Sequence, residues 1–70
     1  MNIGFAVAHI KISGKPIKRD AWPAGTWLEC QKPDANSKMT LPYAVLVSGG
    51  DRVPWLPTQI DLLAEDYEFA

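Results

Sequence analysis

Two prolines three residues apart, Pro54 and Pro57, limit what the last third of this 70-residue chain can become. Each removes a backbone donor, so residues 53–67 cannot run as the middle of a central strand. The pair brackets Trp55 and fixes its approach, because proline also drives the residue before it into an extended conformation. Thr58 then reads as a helix N-cap. Its hydroxyl can accept an unpaired N–H of the first turn, and Asp61 can answer from three residues on. Ile60, Leu63, Ala64 and Tyr67 follow at helical spacing, which predicts one buried face on a short helix. Such an element is too short to stand alone, so the rest of the chain must supply a docking surface.

A chain of this length forms one domain, residues 1–70, and buries only about 60% of its unfolded surface. Disulfides, a metal or self-association usually support a core so small. Cys30 is the only cysteine and His9 the only histidine, so neither an internal disulfide nor a structural zinc site is expected. Self-association remains, and a 47% hydrophobic content with three Trp points the same way. A net charge of −1 does not suit a general nucleic-acid binder. No charged N-terminal region precedes a long apolar run, so no signal peptide is expected. No run approaches the roughly 18 apolar residues of a membrane span. A soluble protein of a reducing compartment is the expectation.

Residues 2–13 read as a helix with Asn2 as N-cap and Gly14 just past its end. Ile3, Ala6, Val7 and Ile10 share one face, while Phe5, His9 and Ile12 share a second. Apolar groups on two sides imply two partners, one of which can be another chain. Residues 15–22 are a candidate strand, and Pro23, Ala24 and Gly25 form a turn signal. Residues 26–30 are the next strand, with Trp27 and Glu29 on one face and Leu28 and Cys30 on the other. Residues 31–40 are polar, with Pro33, Asp34, Asn36 and Ser37, and read as a mobile loop. Residues 41–48 are apolar on both faces and should lie inside a sheet. Gly49 and Gly50 then make a tight hairpin turn, and the return strand stops at Pro54. Residues 67–69 can close the sheet as an edge strand. The sum is a small α+β domain: an antiparallel sheet of four to five strands with an N-terminal helix and a short C-terminal helix.

This order of features resembles the Thoeris anti-defence proteins of the second type, a phage and prophage family. The resemblance rests on Asn2-Ile3-Gly4, on Lys18-Arg19-Asp20-Ala21-Trp22, on Gly25-Thr26-Trp27-Leu28 and on Pro42-Tyr43. Its most specific part is Val53-Pro54-Trp55-Leu56-Pro57-Thr58-Gln59, running into Asp61-Leu62-Leu63-Ala64-Glu65-Asp66. Tyr67 stands where the family usually carries Trp, and Phe5 where a charged residue is usual. The resemblance implies a sponge in the bacterial host cytoplasm. Such a protein binds a cyclic ADP-ribose isomer, and in some members cyclic dinucleotides, without cleaving it. It also implies a homo-oligomer, tetrameric in described members, with ligand held between subunits and no cofactor.

A ligand of that class needs an aromatic surface for its base, donors for phosphate and polar groups for ribose. Base stacking on an aromatic ring is worth about 1–3 kcal/mol. Trp22, at a strand end, reads as either a stacking surface or core. Trp27 and Trp55 read as core first, with Trp55 kept as a candidate contact. Phe5 is either a subunit contact or a pocket wall. Lys11, Lys15, Lys18 and Arg19 place four of the seven positive charges within nine residues. Arg19 beside Trp22 is the phosphate candidate, since a guanidinium fork matches phosphate oxygens. Thr58 and Gln59 stand at a helix N-terminus, whose N–H groups suit an anion or hydroxyl. Thr58 is explained by capping alone, whereas Gln59 is harder to explain structurally. Asp61 is either a ribose acceptor or a capping partner. No catalytic or metal-binding constellation stands out, and His9 and Cys30 lack partners for one. The alternative from another class is a protein–protein interaction module, a phage accessory protein whose aromatics bind a host complex.

Overall fold

Asn2 starts the first helix, α1 (Ile3–Ile12), by accepting the Phe5 backbone N–H on its side-chain oxygen at 3.0 Å. The structure, a computed structural model, describes residues 1–36 and 38–70. Ser37, part of the expected polar loop, lies outside the described residues. Ser13 closes the helix, its N–H and hydroxyl both donating to the His9 carbonyl. Ala6 and Ile10 are fully buried and Ile3 is half-buried, whereas Val7, expected on the same face, is exposed. Val7 stands at the margin of the stripe, beside a groove that also exposes Pro42 and Tyr43.

Five strands follow: β1 (Ile17–Arg19), β2 (Thr26–Gln31), β3 (Tyr43–Ser48), β4 (Asp51–Pro54) and, after the second helix, β5 (Tyr67–Phe69). Their spatial order is β4-β3-β2-β1-β5, antiparallel throughout. This is the expected α+β class. Several boundaries differ from the sequence expectation. β1 is three residues rather than eight, because the chain turns at Asp20 and Trp22 donates back to the Arg19 carbonyl at 3.0 Å. Gln31 belongs to β2, where it pairs with Tyr43, and Leu41 and Pro42 precede β3.

Directly paired residues share a face of the sheet. Ile17, Leu28, Leu46 and Phe69 therefore lie on one side, and Arg19 and Tyr67 join them. α1 covers that side, so Ala6, Ile10, Ile17, Leu28 and Tyr67 form the core. The opposite face pairs Trp27 with Val47 and Glu29 with Val45. Arg52 reaches across it to Glu29 at 2.6 Å.

The β3–β4 hairpin turns on Gly49 and Gly50, with φ of 58° and 87°. Side chains pay about 1–2 kcal/mol in this left-handed region. Gly50→Ala should therefore lower the unfolding free energy by about 1–2 kcal/mol in a urea titration. A loss below about 0.3 kcal/mol would show that the turn changes shape at little cost.

Candidate functional site

The second helix, α2 (Gln59–Leu63), is little more than one turn, entered by a bond from Leu62 N–H to the Thr58 carbonyl. Its start is the expected capping box. Asp61 N–H donates to Thr58 Oγ1 at 3.1 Å, and Thr58 N–H donates to Asp61 Oδ2 at 2.9 Å. The predicted apolar face is overturned at Ile60 and Leu63, while Ala64 packs against the core and Tyr67 is buried in it. Ile60 is 72% exposed and Leu63 81%, and the buried residue of the helix is Asp61. Two causes act together. The chain leaves the helix at Ala64, whose ψ of 149° is extended, so Tyr67 falls in β5 rather than on a helical stripe. A charged anchor then orients the turn more strongly than its aliphatic side chains do.

That anchor is Arg19. Its Nη1 donates to Asp61 Oδ1 and its Nε to Asp66 Oδ1, both at 2.9 Å, and its side chain is only 13% exposed. Asp66 also accepts the Ala21 N–H at 3.2 Å, and Tyr67 donates its hydroxyl to the Asp61 carbonyl at 2.6 Å. Burial pushes the Asp61 carboxyl up, but the Thr58 N–H and the Arg19 guanidinium outweigh it and hold the group below its ordinary range. Arg19 likewise holds Asp66 low. Burial, helped by the Asp61 charge, pushes the Tyr67 phenol up.

Beside this network lies an open hollow of about 420 Å³, lined by Arg19, Gln59, Ile60, Leu63 and Ala64. It falls in the size range of ligand pockets, roughly 300–1,000 Å³. The fold thus brings Arg19 and Gln59 to one hollow and joins Arg19, Thr58 and Asp61 in one network. Trp22 and Trp55 meet edge to face at 6.2 Å, and Trp22 meets Tyr67 in the same way at 6.4 Å. Both tryptophans are half-buried against the core. Phe5 stands apart, on a separate shallow hollow of α1 with Asn2, Gly4 and Ala8. Ile60, Leu63 and Ala64 are the lining residues that sequence reasoning missed. Their helical spacing read as core, and only the short length of α2 argued otherwise.

The fold and site define a small α+β domain with an open, largely apolar hollow anchored on a charged network. The Thoeris anti-defense 2-like (Tad2-like) domain family model matches residues 1–70, and the chain belongs to that family. No curated protein matches the chain.

Two predictions follow from the network. Thr58→Ala should cost about 1 kcal/mol of unfolding free energy, the usual worth of an N-cap; an unchanged urea midpoint would mean that the Arg19 pairs alone hold α2. The second concerns pH. Asp61 and Asp66 sit below their ordinary range when folded, so the unfolded chain takes up protons first on acidification. Their stabilisation is complete above about pH 4 and is lost as pH falls through the depressed folded values. The thermal midpoint should fall on acidification below about pH 4. Asp61→Asn with Asp66→Asn should flatten that fall. A fall as steep as in the unchanged chain would exclude this pair as its source.

Proposed function

We propose that this protein is an anti-defence sponge for a cyclic nucleotide immune signal, a cyclic ADP-ribose isomer or, as a second class, a cyclic dinucleotide. It holds the signal without cleaving it, as a homo-oligomer in the bacterial host cytoplasm, and so starves the effector that the signal would activate. Membership of the family supports the anti-defence role. The observation that carries the site is the hollow where the Gln59 amide meets the apolar walls of Ile60, Leu63 and Ala64 beside Arg19. An amide offers both donors and acceptors to a base edge or ribose hydroxyl. The aliphatic walls suit a base face. Trp22 and Trp55, half-buried, keep part of their surface for stacking.

The geometry changes the roles proposed for the charged residues. Arg19 already faces two carboxylates, so the site has no surplus positive charge with which to draw in a pyrophosphate. Among the described residues its Nη2 donates to none, and that group is assigned here as a directed donor to the ligand. Asp61 gives one oxygen to Arg19 and the other to Thr58, so it and Thr58 shape the wall rather than grip ribose. Recognition rests on directed hydrogen bonds and apolar contact, and inhibition on mass action. No cofactor or metal enters the mechanism.

Calorimetry with a panel of cyclic ADP-ribose isomers and cyclic dinucleotides tests the reading, followed by heat release and chromatography of the ligand. Tight binding of one compound, recovered intact, is the expected result. Gln59→Ala should weaken it roughly 3- to 10-fold, the worth of one net hydrogen bond. A released ligand that has been cleaved would replace the sponge with an enzyme. Exposure of Ile60 and Leu63 also favours a second reading, a protein–protein interaction module. A stoichiometric host protein that co-purifies, with no binding across the panel, would establish that reading instead.

A further inference from the structure

We propose that Asp66 is a positioning residue of the site: one carboxylate that aims Arg19 and Trp22 together, so that a bound ligand meets both in a fixed relation. This role rests on the ligand site proposed above, although its first test needs no ligand.

Asp66 stands just before β5, across from the turn that follows β1. The register pairs Ile17 with Phe69, Lys18 with Glu68 and Arg19 with Tyr67. One step further brings Asp20 to Asp66, and the Asp20 N–H donates to the Asp66 carbonyl at 3.0 Å. The Asp66 side chain continues along the same turn. Its Oδ1 accepts Arg19 Nε at 2.9 Å, and its Oδ2 accepts the Ala21 N–H at 3.2 Å. Residues 19, 20 and 21 are thus all bonded to one partner. The turn is closed from within by the Trp22 N–H, which donates to the Arg19 carbonyl at 3.0 Å.

Both ends of this turn belong to the proposed site. At Arg19, the bonds from Nε to Asp66 and from Nη1 to Asp61 fix the plane of the guanidinium, and with it the direction of Nη2. At Trp22, the held backbone sets the ring edge to face against Trp55 at 6.2 Å and against Tyr67 at 6.4 Å. Such contacts depend on the angle between the rings as well as on their separation. Tyr67 follows Asp66 directly in the chain, so one short segment supplies both the carboxylate and a ring that Trp22 meets.

Stability is a weak reason for this arrangement. The Asp66 side chain is 33% exposed, and ion pairs open to water add little to a fold. Orientation is a stronger one. Two donors, one from a side chain and one from the backbone, need two acceptor oxygens at a fixed spacing, which a carboxylate has. An amide of the same shape offers one acceptor and turns its NH2 group toward the other donor. Asp66→Asn therefore releases either the guanidinium or the backbone beside Trp22 while keeping the size of the side chain.

The far-ultraviolet exciton couplet of the Trp22–Trp55 pair reads the angle between the rings, and its loss in Trp22→Phe identifies the signal. Asp66→Asn should cut the couplet by about half or more in protein that still shows a cooperative thermal transition. Thr58→Ala, which loosens α2 and not this turn, should keep it. If Asp66→Asn does not fold, Arg19→Lys, which keeps the charge and loses the fork, should cut the couplet instead. An unchanged couplet would overturn the role. Calorimetry with the cyclic ADP-ribose isomers gives the second reading. Asp66→Asn should weaken binding about 10-fold, the combined effect of a misdirected donor and a misplaced ring. In a Trp22→Ala background the same substitution should cost only about 3-fold, the share that acts through Arg19. Losses that simply add would mean that Asp66 and Trp22 act separately, and would overturn the role. Absence of binding by every isomer, with the couplet lost as expected, would overturn the proposed ligand and leave the aiming of Trp22 by Asp66 supported.

Discussion

The structure depends on one guanidinium. Arg19 lies at the end of β1, and its two carboxylate partners lie at α2 and immediately before β5. It therefore fastens two short elements to each other and to β1. α2 is five residues with no buried apolar residue, and β5 is three residues at a sheet edge. An apolar face would have anchored α2 without direction. Two charge-assisted bonds fix both its position and its rotation. The cost of this choice is conditional. A buried pair adds little over an apolar contact, but removing one partner leaves a charge out of water and unpaired.

Tyr67 completes this arrangement. Its ring belongs to the core, and its hydroxyl reaches the Asp61 carbonyl on α2. The edge-to-face contact with Trp22 ties the same ring to the turn after β1. Tyr67 thus supplies a bond to a carbonyl near the end of α2, where helix carbonyls lack partners. A tryptophan could fill the space but would direct its N–H elsewhere.

Features governed by local rules were legible in the sequence. The Asn2 cap, the Gly49–Gly50 turn and the Thr58–Asp61 box each need residues within four positions, and all three form. The apolar residues on both faces of residues 41–48 announced an interior strand, and β3 is interior, though it starts at Tyr43. What was not legible crosses long sequence distance. Arg19 meets Asp61 and Asp66 across 42 and 47 residues, and nothing near Arg19 announces them. Periodicity failed for Ile60 and Leu63 because a stripe needs several turns to outweigh one buried ion pair. The hollow was missed with them, since its walls are the residues that the pattern assigned to the core.

The distribution of apolar surface gives the molecule its remaining logic. The chain seals one thin core with Ala6, Ile10, Ile17, Leu28 and Tyr67 and leaves large aliphatic side chains on both helices in water. A chain of this size cannot turn all of its apolar residues inward, because too little interior exists to receive them. What distinguishes this surface is where the excess sits. On α2 it adjoins a fixed guanidinium and an amide, which can orient a small polar ligand. On α1 it borders a shallow hollow lined by Asn2, Gly4, Phe5 and Ala8. The charged network that holds α2 is what gives the first of these regions its polar contacts.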